Sequence, residues 1–108
     1  MAKGETKETI LTIVKEYADI VSKEMHVSKV ILFGSYSTGR QHEHSDIDVA
    51  IVSPDFTGDR IEDQFRLMKY RRGVDLRIEP MPFRPEEFMP LDPFVRSIVE
   101  TGVVVEVT

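Results

Sequence analysis

Apolar residues recur at three- and four-residue intervals through Ile10, Ile13, Val14, Tyr17, Ile20 and Val21. This spacing predicts an amphipathic helix from about Glu5 to Glu24 whose stripe, Tyr17 included, faces a core. Lys29 to Phe33 is a continuous β-rich run stopped by Gly34, as a short buried strand would be. Ser35 to Arg40 has room for little more than one helical turn, and the polar segment from Gln41 to His44 predicts a loop. From Asp46 to Val52 the chain alternates: Ile47, Val49 and Ile51 face one side of a strand, and Asp46, Asp48 and Ala50 the other. Beyond a turn at Pro54 to Gly58, Asp59 is placed to cap a helix with Glu62 three residues on. Ile61, Phe65 and Met68 are its predicted apolar stripe, and Gly73 its left-handed stop.

Val74 to Glu79 alternates again, with Val74, Leu76 and Ile78 on one face and Asp75, Arg77 and Glu79 on the other. The stretch from Pro80 to Pro90 holds four prolines and is expected to be extended or turned, with one helical turn at Pro85 to Phe88. Asp92-Pro93 then opens a helix through Phe94, Val95, Ile98 and Val99 to Gly102, and Val103 to Val107 closes the chain as a β-run. This order predicts an α/β (α+β) fold with a small mixed sheet. If the apolar faces of the two alternating strands pack on helices, their acidic faces look away, so the helices lie mainly on one face and an acidic face is left open.

A length of 108 residues fits a single domain spanning 1–108. With 41% hydrophobic and 31% charged residues the chain belongs with globular rather than disordered proteins. No apolar run approaches the roughly 18 residues of a membrane helix, and Met1 to Glu8 lacks a signal-peptide core, so a cytoplasmic protein with no membrane partner is expected. The absence of cysteine removes disulfides, thiolate metal sites and thiol nucleophiles, and leaves oxygen and imidazole as metal donors. A net charge of -5 argues against an extended nucleic-acid partner, though not against one nucleotide held through a metal. The basic group Arg66, Lys69, Arg71 and Arg72 reads as a solvated helix face.

The chemistry concentrates in Gly34-Ser35 and Asp46-Ile47-Asp48. Gly34 lets the backbone approach a phosphate closely, and Ser35 adds a hydroxyl donor. Asp46 and Asp48 share one strand face, and Asp75 stands beside them if its strand is the neighbour. Three carboxylates so placed repel one another, and with oxygen donors only, the cation that relieves them is Mg²⁺ or Mn²⁺, bound jointly with substrate phosphates. The implied reaction is in-line attack on the α-phosphorus of a nucleoside triphosphate, with Asp75 as candidate general base. Tyr36 and Arg40 are placed to line the nucleotide pocket, although Tyr36 has a packing role open to it, and Arg77 has either a phosphate or an acidic neighbour to meet. Alone, an Asp-x-Asp is ordinarily a solvated strand face and a Gly-Ser an ordinary turn; their conjunction in this order favours catalysis. His42 and His44 sit in the polar loop without a partner at metal-binding spacing.

Gly34-Ser35, Gly39 and Ser45-Asp46-Ile47-Asp48 resemble the signature of the DNA polymerase β-like nucleotidyltransferase superfamily, and the chain's size resembles its minimal (MNT-type) members. Asp75 in Val74-Asp75-Leu76 matches the third carboxylate. The resemblance implies a nucleotidyltransferase fold, Mg²⁺ held by Asp46, Asp48 and Asp75, and a triphosphate, ATP or another NTP, on Ser35. Gly34, Tyr36, Gly39, Arg40, Ser45 and Arg77 complete the expected nucleotide site. One departure is Thr38, where many relatives carry Lys or Arg; Arg40 is the candidate substitute. Such proteins are often encoded beside a small helical HEPN-domain protein as toxin and antitoxin, and some transfer AMP to it. The expectation is therefore a nucleotidyltransferase moving a nucleoside monophosphate, AMP foremost, onto an acceptor hydroxyl supplied by a HEPN partner or a second copy. The alternatives are an antitoxin-like module that masks its partner with little or no turnover, and a small-molecule adenylyltransferase of the aminoglycoside type.

Overall fold

The computed structural model describes residues 6–40 and 45–107. The predicted loop Gln41 to His44, with both of its histidines, lies outside the described residues, as does the expected helix start at Glu5. The elements are α1 (Lys7–Glu24), β1 (Lys29–Phe33), α2 (Ser35–Thr38), β2 (Ile47–Val52), α3 (Arg60–Tyr70), β3 (Ile78–Phe83), a 3-10 turn (Pro85–Glu87), α4 (Pro93–Thr101) and β4 (Val103–Val104). The strands form one mixed sheet in the order β3-β2-β1-β4, with β1 antiparallel to β2 and β4, and β2 parallel to β3.

Helix α1 begins where the Thr6 side chain accepts the Thr9 amide, and it buries Ile10, Val14, Tyr17, Ala18 and Val21. These residues pack with Val30, Leu32, Val49, Ile51, Leu67 and Ile78, so α1 and α3 cover one face of the sheet. The buried Tyr17 hydroxyl donates to the Leu67 carbonyl at 2.6 Å and pins the two helices together. Burial holds this phenol far above its ordinary range, so it serves as a neutral donor. On the other face, Val95 and Ile98 of α4 pack on Ile31, Ala50, Val52 and Phe83. This second face is covered only in part. Phe33, Asp48 and Glu79 share the outermost row by register, where α4 reaches Phe33 through Phe94. The helices therefore lie mainly on one face, with an acidic end open on the other.

Two expectations are corrected. The strand expected over Val74 to Glu79 starts only at Ile78 and continues through Pro80 and Pro82 to Phe83. The residues before it turn: Val74 and Asp75 both donate to the Arg71 carbonyl, and the Asp75 carboxylate accepts the Arg77 amide at 2.9 Å. Prolines are tolerated here because β3 is an edge strand, and alternate residues of a strand direct their backbone groups to opposite sides. The carbonyls of Ile78 and Pro80 point away from β2 and are taken by the side chains of Arg71 and Gln64, at 2.7 and 3.1 Å. The carbonyls of Arg77 and Phe83 serve the β2 side, accepting from Ile47 and Ser53. Side chains from α3 and the turn after it thus cover an edge that would otherwise be open to pairing with another chain.

The second correction concerns α3 itself. Asp59 caps it through the amides of Ile61 and Glu62, as expected, but Ile61 and Phe65 are 80% and 72% exposed. The buried positions are Leu67 and Asp63, whose carboxylate accepts from the Thr57 amide and hydroxyl and from the Gly58 amide. Asp63 organises the preceding loop, and that requirement turns the predicted apolar stripe outward. The helix ends at Arg71 in an ordinary right-handed conformation, and Gly73 does not take a positive φ.

Candidate active site

The site forms where β1 ends, α2 turns and β2 begins. Gly34 has φ 79° and ψ -150°, a region open essentially to glycine alone. A Cβ built on Gly34 would lie 2.3 Å from Oδ2 of Asp48, so the absent side chain is where the carboxylate sits. The two halves of the motif are thus in contact, not merely near in sequence. Within α2, the amides of Ser37 and Thr38 and both of their hydroxyls donate to the Gly34 carbonyl. Ser35 makes no such side-chain bond among the described residues, and it lines a cavity of ≈ 520 Å³ together with Phe33, Gly34, Arg40 and residues of α4. Gly39 closes α2 in the left-handed region, and the following Arg40 amide returns to the Ser35 carbonyl at 2.9 Å.

Asp46, just before β2, is exposed, and Asp48 on β2 is half-buried. Burial, then the charge of Asp46, then that of Glu79 push the Asp48 carboxyl up to about 6. The residue beside Asp48 on the neighbouring strand is Glu79, not Asp75. Asp75 remains in the turn, where Arg77 holds it through an ion pair of 2.7 Å and a second bond of 3.0 Å. Hydrogen bonding to Arg77 lowers the Asp75 carboxyl below its ordinary value, which makes it a poor proton acceptor. The expectation of Asp75 as third carboxylate and base rested on the strand starting four residues too early. The alternation placed Glu79 on the same acidic face as Asp75.

The remaining expected residues divide. Ser45 is buried directly before the aspartates. Tyr36 is also buried, packs in the α1 side of the core, and accepts a bond from Arg77 at 3.4 Å; it supports the site from behind and does not line it. Arg77 is tied to Asp75 and Tyr36, while Arg40 is exposed at the cavity rim. Phe94 and Ser97 of α4, which form the far wall of the cavity, went unrecognised. Their only signal was the helix spacing that marks them as core or surface.

A family model described as a nucleotidyltransferase domain matches residues 14–105. The chain belongs to the nucleotidyltransferase domain family. It is similar in structure to a protein from Sulfolobus solfataricus assigned as a nucleotidyltransferase, at TM-score 0.66 and 21% identity, over 96% of this chain and 89% of that one. A toxin-antitoxin structure with AMP-PNP matches at TM-score 0.57 and 20% identity, over 96% and 75% of the two chains. A variant of the MntA-HpeT toxin-antitoxin, in which two aspartates two apart are changed to glutamate, matches at TM-score 0.55 and 18% identity, over 96% and 75%. No curated protein matches the chain. The domain is a nucleotidyltransferase by family, and no helix among its described residues is long and apolar enough to cross a membrane.

Proposed function

We propose that this nucleotidyltransferase moves a nucleoside monophosphate, AMP from ATP foremost, onto a hydroxyl of a partner protein. The observation that carries this reading is the contact between Gly34 and the Asp48 carboxylate, which joins a phosphate-binding turn to a group of acids. Mg²⁺, or Mn²⁺, fits the donor set: Asp46, Asp48 and Glu79 are all oxygen donors, and the charges of Asp46 and Glu79 add to burial in raising Asp48. Among the described residues no three acids converge as a finished cage. That suits an ion that keeps several waters and shares its coordination with substrate phosphates. When bound, the ion supplies neutralisation of phosphate charge at the α-phosphorus. The chain's own part is positional. Gly34 admits the Asp48 carboxylate against the turn, and Ser35 donates a hydroxyl to a phosphate oxygen. The attacking hydroxyl forms its bond to the α-phosphorus as the bond to the β-phosphate breaks, pyrophosphate leaves, and the proton passes to a site carboxylate.

The acceptor is proposed to be a protein because α3 presents Ile61 and Phe65 to solvent, with Leu76 67% exposed close by. Arg66, Lys69 and Arg72 border the grooves around Phe65. Asp59 and Glu62 border the Ile61 end, so the rim is acidic there and basic toward Leu76, and the apolar patch between suits the apolar face of a helix on another protein, such as a small HEPN-type partner. The same surface favours the second reading, an antitoxin-like module that works by masking. The deciding experiment incubates the chain, Mg²⁺ and each α-labelled nucleoside triphosphate with proteins co-purified from the source cell. The expected result is a labelled protein band, lost in Asp46→Asn and Asp48→Asn chains. Partner neutralisation that survives both substitutions would instead establish masking, and no label with no triphosphate bound would end the catalytic reading.

A further inference from the structure

The cavity beside Ser35 has a wall that phosphate chemistry does not explain. Phe94, on the first turn of α4, is 45% exposed. Its ring is fixed by two others: it meets Phe33 edge-on, with centroids 5.9 Å apart and planes at 83°, and Phe83 at 6.5 Å and 38°. Two aromatic neighbours hold the ring while nearly half of the residue stays open to the cavity. Phe33 is the register partner of Asp48, so this pair of rings borders the acids directly. Apolar Phe33, Phe94 and Ile98 share the cavity with the hydroxyls of Ser35 and Ser97 and with Arg40. A volume of ≈ 520 Å³ lies within the roughly 300–1,000 Å³ of small-molecule sites.

A triphosphate needs donors and cations, and half of this cavity offers neither. A flat, rigid, half-exposed ring next to a phosphate turn suits a planar heteroaromatic group attached to that phosphate. We propose that Phe94 is the stacking platform for the nucleobase of the donor nucleotide. The proposal rests on the nucleotidyltransferase reading above and adds where the base lies: on the β1 and α4 side of the acids. A π-face stacks on any base, so this platform tightens all four nucleotides and discriminates among them weakly.

The test titrates the chain with ATP and, separately, with inorganic tripolyphosphate, both with Mg²⁺, by calorimetry. Phe94→Leu keeps an apolar side chain against Phe33 and Phe83 but removes the aromatic face. It is expected to weaken ATP about 10-fold, the scale of one base-aromatic stack, and to leave tripolyphosphate unchanged. The chain contains no tryptophan, so Phe94→Trp places a single indole at the site. Its fluorescence is expected to be quenched by ATP and not by tripolyphosphate. Equal weakening of both ligands, unchanged ATP affinity in Phe94→Leu, or an indole that ATP leaves unquenched would overturn the platform while the function reading stands. Failure of the unsubstituted chain to bind either ligand would overturn the function reading and the platform with it.

Discussion

Gly34 and Gly39 both have φ near +80°, at 79° and 81°, yet substitution at the two should differ sharply. At Gly39, ψ of 15° places the backbone in the left-handed helical region, and a built Cβ meets nothing within 4 Å. Alanine there should cost about 1–2 kcal/mol, the ordinary penalty for an L-residue in that conformation. At Gly34, ψ of -150° is a harsher backbone position, worth about 1–3 kcal/mol by itself. The new methyl would also stand 2.3 Å from Oδ2 and 3.2 Å from Cγ of Asp48. Turning the carboxylate aside relieves the clash at roughly another 1 kcal/mol, the cost of an off-rotamer side chain. Gly34→Ala should therefore destabilise by about 2–4 kcal/mol and displace Asp48 from the site.

The assay is chemical denaturation of Gly34→Ala, Gly39→Ala, Asp48→Ala and the double variant Gly34→Ala with Asp48→Ala. Removing the Asp48 carboxylate leaves only its Cβ, 3.3 Å from the new methyl, so the clash largely disappears and the backbone strain remains. The double-mutant cycle should show a coupling of about 1 kcal/mol, above the roughly 0.3–0.5 kcal/mol scatter of independent sites. A Gly34→Ala cost no larger than that of Gly39→Ala, or strict additivity with Asp48→Ala, would refute the contact on which the site's construction rests.

Because Asp48 is pushed up to about 6, the folded state binds its proton more tightly than the unfolded chain does. Its contribution to metal-free stability is thus lost as pH rises between roughly 4 and 6, by about 1 kcal/mol after discounting for solvent screening. Asp48→Asn should raise the metal-free melting temperature at pH 7.5 and give no gain near pH 4, as thermal melts across that range would show. Glu79→Gln should reduce labelled transfer by at least about 10–100-fold, the scale of losing a group that tunes a metal site, whereas Asp75→Asn should leave transfer near the parental rate. The opposite ranking would restore Asp75 as the third carboxylate. Gly102→Ala should cost about 1–3 kcal/mol by overpacking, since its Cβ would fall 2.5 Å from both Ile31 Cγ2 and the Ile98 carbonyl, as urea titration would measure.

What the sequence made legible was local. Asp48 lies on the expected face of β2, with Asp46 just before the strand and close enough to act on its charge, and Gly34 marks a backbone that no other residue adopts cheaply. The helix boundaries of α1 and α4 followed from stripe and cap: Glu24 and Gly102 stood where expected, and Asp92 caps α4 through the Phe94 and Val95 amides. The failures were tertiary. Pro80 and Pro82 argue against a strand unless it is known to be an edge, and edge position depends on which strands pair. Ile61 and Phe65 argue for a buried stripe unless a loop needs Asp63 on the inner side. In both places a local rule was overridden by a contact with a distant segment.

The strand order gives these pieces a direction. Asp46 and Asp48 stand on or at β2; Gly34, Ser35 and the Phe33-Phe94 wall lie toward β1, and Glu79 lies toward β3. The exposed residues Phe65 and Leu76 line one groove on the β3 side, where the turn carrying Asp75 and Arg77 leads into Glu79. Because α3 covers the sheet face opposite the carboxylates, a partner seated on Phe65 and Leu76 under the proposed function would reach them around the β3 edge, past the turn before Glu79. The crowding at Asp48 and the apolar surface left open on α3 both cost the isolated chain stability or solubility. Under the proposed function, a cation with triphosphate would relieve the first and a partner protein would cover the second.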